Sequence, residues 1–171
     1  YGAFAEENFN WGQDRHPEIP REQMIMYKLH VRGFTMDSGT RSAPGTFRAL
    51  INRIPYLKKL GVTTLELMPV YEFEELEIEQ PKELPEYIKW QEEKSDRIKP
   101  PKKGPKVMPK LNFWGYEKGN YFAVKASYGS DPAHAAEEFK TLIKKLHENG
   151  MECVMEFYFP DDTNHNLIMD A

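Results

Sequence analysis

The sequence predicts an α/β fold built on a parallel sheet. Three observations carry that prediction. Short apolar runs that read as strands alternate with amphipathic helical segments, the pattern of parallel pairing and right-handed crossovers. The runs are apolar enough to be covered on both faces. Capping residues and glycines stand where each helix should start and stop. Two architectures satisfy this order: an open doubly wound sheet, or the first part of an eight-stranded (β/α) barrel.

Residues 1–23 are polar and irregular, with Pro17 and Pro20, and read as a linker leading into the domain. Residues 24–34, MIMYKLHVRGF, read as the first strand, with Ile25, Tyr27, Leu29 and Val31 on one side. TMDSGTRSAPG follows as a loop. Residues 46–61 place Phe47, Leu50, Ile54, Leu57 and Leu60 three and four apart, which is one face of a helix. Thr46 suits its N-cap and Gly61 its end, and Pro55 should bend or interrupt it. VTTLELMPV, 62–70, is a buried second strand.

Residues 74–111 change character: rich in Lys, Glu and Pro, they read as a long, solvated, charged insertion with one short helix near Tyr87–Glu93. The pattern then resumes. Residues 130–150 form a helix capped by Ser130 or Asp131, with Pro132 in its first turn and Glu137 and Glu138 early. Lys144, Lys145 and His147 come late and complement the dipole. Phe139, Leu142, Ile143 and Leu146 are its buried stripe, and Gly150 ends it. MECVMEFYF, 151–159, is the third strand, and Thr163 opens a third helix. The chain begins at Tyr1 without Met and stops at Ala171 inside that helical pattern, so it is expected to be a piece of a longer protein.

Composition narrows the chemistry. A net charge of −4 and a pI of about 5.8 give no basic face for nucleic acid or anionic membrane. No run of about 18 apolar residues predicts a membrane span. Cys153 is the single cysteine, which leaves no internal disulfide or thiolate metal cluster, and it reads as a small buried hydrophobe. Phosphate-cradling glycine loops and the Gly-x-Ser-x-Gly elbow are missing from the sequence. His16, His30, His134, His147 and His165 lack metal-ligand spacing and read as surface or capping residues; His165 with Asp161 and Asp162 is a loose cluster.

Function in either architecture gathers in the loops after strands, here 35–45, 71–126 and 160–162. Their acids, Asp37, Glu72, Glu156, Asp161 and Asp162, are candidates, Glu156 alternatively as a buried structural acid. A glycosidase needs two opposed carboxylates, and the spacing fixes no such pair. Within the second loop, NFWGYEKGNYFAV (112–124) holds Phe113, Trp114, Tyr116, Tyr121 and Phe122 among bend-forming glycines. It reads either as a small aromatic core or as a stacking platform for a sugar or another flat ligand. Its place after a strand favours the platform.

Taken together, MIMYKLHVRGFT, GTFRALINRIPYLKKLGVTTLELMPVYEF, NFWGYEKGNYFAV and EEFKTLIKKLHENGMECVMEFYF resemble the start of the catalytic barrel of the α-amylase superfamily, glycoside hydrolase family thirteen. The likeness is to its debranching branch: pullulanases, isoamylases and glycogen debranching enzymes. It runs over nearly the whole chain except 74–111, and NFNWGQDRHPEIPREQMI resembles the segment that joins an N-terminal domain to the barrel. The resemblance implies a partial (β/α)8 TIM barrel comprising the first three β/α units, 24–171, with the insertion 74–111. It implies an α-glucan partner. It matches Tyr116 to the tyrosine that stacks on the sugar, with Trp114, Asn120 and Tyr121 in the same motif. Glu156 and Asp161 fall in the family's third-strand motif, where Asp-Val-Val-x-Asn-His is usual. Pro160 replaces the asparagine often tied to calcium, and Asp161 replaces the sugar-gripping histidine.

The nucleophile, the general acid and the transition-state-stabilising acid of that family lie on the fourth, fifth and seventh strands. The resemblance therefore assigns no catalytic residue here. Three readings follow: an inactive piece of a glucan hydrolase, a degenerate glucan-binding barrel, or a small α/β domain that assembles with a partner. Three strands of a barrel leave edges and faces uncovered, so the chain is expected either to self-associate or to form an open sheet with its edges covered by the insertion. Localisation stays open.

Overall fold

The computed structural model describes residues 8–36, 43–77 and 110–160. The chain divides into two compact units, Tyr1–Phe73 with Trp114–Ala171, and Glu74–Phe113.

In the first unit, β1 (Met26–Leu29) leads straight into a short helix α1 (Val31–Met36). The expected strand over 24–34 therefore stops early, and Val31 is helical. His30 makes the turn: its backbone C=O accepts Phe34 N–H at 2.9 Å, and its Nδ1 accepts Gly33 N–H at 3.0 Å. Thr35 Oγ1 then donates to Val31 C=O, which closes the helical turn.

The expected helix 46–61 is two helices, α2 (Phe47–Ile51) and α3 (Ile54–Lys59). Thr46 caps α2 through Ala49 N–H as predicted. The break falls before Pro55, which sits in the first turn of α3, where its missing N–H costs nothing. Gly61 follows with φ +82°. β2 (Thr64–Leu67) is shorter than the run 62–70, and β3 (Tyr71–Phe73) follows after three intervening residues.

The second unit contributes β4 (Leu76–Glu77) and β5 (Lys110–Leu111), an antiparallel pair with Leu76 opposite Leu111. Asn112 N–H extends it by donating to Glu75 C=O at 2.9 Å. The helix expected near Tyr87–Glu93 lies outside the described residues, as does the one expected from Thr163.

Back in the first unit, β6 (Gly119–Val124) pairs antiparallel with β3, so half of the turn-rich aromatic stretch is a strand. A 3-10 turn, Pro132–His134, introduces α4 (Ala135–Glu148), with Asp131 as the cap: its carboxylate accepts Ala133 N–H and meets His134 Nδ1 at 2.8 Å. Ser130 instead bonds Glu138 through both N–H and hydroxyl. β7 (Glu152–Met155) completes the set.

The sheet order is β1-β2-β7, all parallel, with Lys28 opposite Glu66 and Glu66 opposite Val154. Helical Phe47, Leu50, Leu57, Leu142 and Leu146 are buried in one core with Leu65 and Leu67 of β2. Each such side chain contributes about 1.5–3 kcal/mol by leaving water. Coverage on both faces, expected from the apolar runs, fails on the outer strands. Met26 and Tyr27 of β1 and Val154 and Met155 of β7 are exposed, and among the described residues each of these strands pairs on one side only. Cys153 is partly buried against the core, and burial pushes its thiol up to about 12.

The segment read as a linker packs onto the domain. Asp14 Oδ2 meets His147 Nδ1 at 2.8 Å, Lys144 Nζ donates to Asn10 C=O at 3.1 Å, and Ile19 N–H donates to Glu152 at 2.8 Å. These partners lie far away in sequence, so no local pattern announces the docking.

Candidate functional site

The parallel strands end at one rim. His30 follows β1, Met68 follows β2 and Glu156 follows β7. Onto this rim the loop 114–118 brings its rings, held by a hairpin behind it.

That hairpin is β3–β6. Tyr71 is buried at its start, and its hydroxyl donates to the carbonyls of Gly115 at 3.1 Å and Glu117 at 2.7 Å. Burial, the larger cause, pushes the Tyr71 phenol up to about 12. Gly115 adopts φ +75°, and a Cβ there would lie 2.7 Å from Phe73 Cζ, so the loop needs glycine at that point. Glu72 ties down the far end. Its carboxylate takes the buried Lys125 ammonium at 2.6 Å and Ala126 N–H at 2.7 Å, and Lys125 also donates to Phe73 C=O at 2.8 Å. Glu72 is thus a structural acid of the hairpin.

Trp114, 54% exposed, sets its ring edge-to-face against His30, with centroids 5.9 Å apart. Of the two roles the sequence indicated, surface or capping, His30 takes the second: it is buried, and its ring accepts Gly33 N–H in the first turn of α1. Because its Nδ1 accepts Gly33 N–H, the neutral ring carries its proton on Nε2, which lies 3.0 Å from Tyr128 Oη. The signal that could have found it is its place at the end of the first strand in LHVRGFT. Arg32 reinforces this corner, donating to Ser127 Oγ at 3.1 Å with its guanidinium over the Tyr128 ring.

Tyr116, 38% exposed, donates its hydroxyl to Glu156 Oε2 at 3.1 Å. The same oxygen lies 2.6 Å from Lys28 Nζ. Glu156 sits just past the end of β7, half-buried, and it is neither within the strand nor fully enclosed. Tyr121 faces the core side of β6: it packs on Tyr71 and Phe157 and donates to Tyr158 C=O at 2.9 Å. Asn120 points to the other side of that strand, exposed, with its Oδ1 accepting Phe122 N–H. The structure therefore brings Trp114, Tyr116 and Glu156 to the rim, uses Tyr121 as a buttress, and leaves Asn120 apart. Asp161, Asp37 and Asp162 lie outside the described residues. Lys28, which holds Glu156 here, was not among the expected residues.

Chemically this is a wall. Two exposed ring faces stand at strand ends, braced by an aromatic stack in which Tyr71 and Phe157 are nearly parallel at 5.5 Å. Flat rings of this kind take the apolar faces of ring-shaped ligands. Glu72 and Glu156 are each engaged by a lysine. Among the described residues no group of three or more His, Cys, Asp or Glu is arranged to hold a metal, and Pro160 offers no side-chain donor where an asparagine would ligate calcium. No helix among those residues is long and apolar enough to cross a membrane.

A parallel β/α sheet with aromatic rings at the C-terminal strand ends fits a (β/α)-barrel domain, the architecture whose functional loops gather at that face. Residues 23–166 match the family model described as alpha amylase, catalytic domain. The chain belongs to the α-amylase catalytic-domain family. It is 32% identical over 157 residues to isoamylase 1, chloroplastic, of Arabidopsis thaliana, covering 88% of this chain and 17% of that protein. It is 29% identical over 167 residues to the glycogen debranching enzyme of Klebsiella pneumoniae, covering 95% of this chain and 21% of that enzyme. With pullulanase A of Streptococcus pneumoniae serotype 2 the identity is 31% over 159 residues, covering 88% and 11%. Among solved structures, the catalytic module of the glycogen-degrading pneumococcal virulence factor SpuA in complex with an inhibitor aligns with a TM-score of 0.55 at 26% identity, covering 88% of this chain and 20% of that one. The chain thus spans between 11% and 21% of the lengths of these relatives.

Proposed function

We propose that this chain forms the first three β/α units, residues 24–171, of the catalytic barrel of a debranching-type α-glucan hydrolase, with 1–23 joining it to a preceding domain and 74–111 inserted. The whole protein would hydrolyse O-glycosidic bonds of starch- or glycogen-type polysaccharide through a retaining, two-carboxylate mechanism. The observation that carries this reading is the pair of exposed rings, Trp114 and Tyr116, at the C-terminal ends of β1 and β7 in a chain of this family. The chain's share is to bind and orient the glucan. It is not expected to turn over by itself, because the resemblance places the three catalytic acids on the fourth, fifth and seventh strands, beyond these three units, while Glu72 and Glu156 are tied to Lys125 and Lys28. The acidic balance supports no nucleic-acid or membrane partner.

Titrating the 171-residue chain with maltotetraose tests this. Saturable binding is expected, weakened roughly 3- to 10-fold by Trp114→Ala and by Tyr116→Ala, in proportion to one ring contact each. No reducing ends should be released from pullulan. Absence of saturable binding, or hydrolysis by the chain, would overturn the reading.

A second reading, a glucan-binding barrel without turnover, is favoured by Pro160 and Asp161 in place of the family asparagine and histidine. Ordinary hydrolysis of glycogen or pullulan by the full-length protein would exclude it. The exposed residues on β1 and β7 also support self-association of this chain. Sedimentation velocity should show a coefficient rising with concentration; a constant monomeric value would count against it.

A further inference from the structure

Resting on the glucan-wall reading above, we infer that Lys28 is a positioning residue that sets the plane of the Tyr116 ring through Glu156. A stacking ring is useful only if its face is held still. Tyr116 sits on a loop, and its restraints are the hydrogen bond to Glu156 at 3.1 Å, an edge contact with Tyr158 at 6.4 Å, and the Lys28 ammonium 5.9 Å from its ring centre. Two of these three run through Lys28, because Lys28 Nζ also holds Glu156 at 2.6 Å.

The sheet shows why the residue is a lysine. β2 lies between β1 and β7, so Lys28 and Glu156 meet by reaching across it, over roughly 9–10 Å of strand spacing. A short side chain on β1 cannot span that gap. Glu66 stands on β2 beneath the bridge, 3.9 Å from the same ammonium. Lys28 therefore separates two carboxylates, and hydrogen bonding to Glu156, then to Tyr116, holds its own titration well above the ordinary lysine range. Without the cation, Glu66 and Glu156 repel. Glu156 then swings toward solvent and takes the Tyr116 hydroxyl with it or releases it.

A double-mutant cycle on the 171-residue chain, read as maltotetraose affinity and as thermal midpoint, tests this. Lys28→Met should weaken binding about fivefold, within the worth of one ring contact. In a Tyr116→Ala background the same change should have no further effect, and Lys28→Arg, which keeps reach and charge, should bind within about twofold of the parent chain. An equal loss in both backgrounds would make Lys28 a residue of the fold alone and would overturn the assignment. So would unchanged affinity of Lys28→Met in a chain that Tyr116→Ala weakens; that outcome leaves the glucan wall standing. Affinity unmoved by Tyr116→Ala would remove the wall itself, and the role of Lys28 with it.

Discussion

Replacing Gly119 by alanine is expected to cost about 3 kcal/mol, the upper end of the overpacking range. A Cβ on Gly119 would fall far inside van der Waals contact distance of Glu72 O and 3.1 Å from Phe73 Cα. The obstacle is backbone in the paired strand, Phe73 opposite Gly119, and it cannot rotate away as a side chain would. The β3–β6 pair must open, which releases Tyr71 from the carbonyls of Gly115 and Glu117 and frees the loop that carries Trp114 and Tyr116. For a chain of this size the midpoint should fall by about 6–12 °C. Phe122→Thr, three residues along the same strand at a 76% exposed site, should move it little, within about 0.5 kcal/mol. Equal midpoints for Gly119→Ala and the parent chain in a thermal melt would show that the strands do not pair this closely.

Glu72→Ala should be the second large loss, about 2–4 kcal/mol by urea unfolding. Lys125 has a side chain only 4% exposed, and its ammonium lies 2.6 Å from Glu72 and 4.5 Å from the Phe73 ring centre. Removing the carboxylate strands a buried cation, a change worth about 3–5 kcal/mol when the pair is fully enclosed. Glu72 itself is 37% exposed, so water can reach the vacated space and the expected loss is set lower. Ala126 N–H also loses its acceptor. The double variant Glu72→Ala/Lys125→Met should recover most of the loss, because no charge is then left to bury. A Glu72→Ala chain within about 0.5 kcal/mol of the parent would show that the pair does not anchor the hairpin.

Both effects turn on contacts that local patterns do not encode. α4 was legible because its signals lie within a few residues of one another: the Asp131 cap, acids early, bases late, and Phe139, Leu142 and Leu146 on one buried face. β2 and β7 were legible as apolar runs, although their ends were not. The strands stop where their parallel neighbours stop, and that is a property of the pairing. The aromatic loop was legible as chemistry, since Trp114 and Tyr116 reach the rim, but not as geometry. Alternation within NYFAV sends Tyr121 inward and Asn120 outward only once β6 has found β3.

The sequence by itself determined the alternation of the three parallel strands with the helical segments at 46–61 and 130–150, the caps Thr46 and Asp131, and the membership marked by the LHVRGFT and NFWGYEKGNY stretches. These rest on backbone preferences and side-chain periodicities that act over a turn or two. The tertiary structure alone decided that the segment 10–19 docks on α4 and β7, that His30 is buried beneath Trp114, and that Lys28 reaches over Glu66 to hold Glu156 under Tyr116. Charges and rings so far apart in sequence acquire an energy of interaction only after the sheet has brought them within a few ångströms.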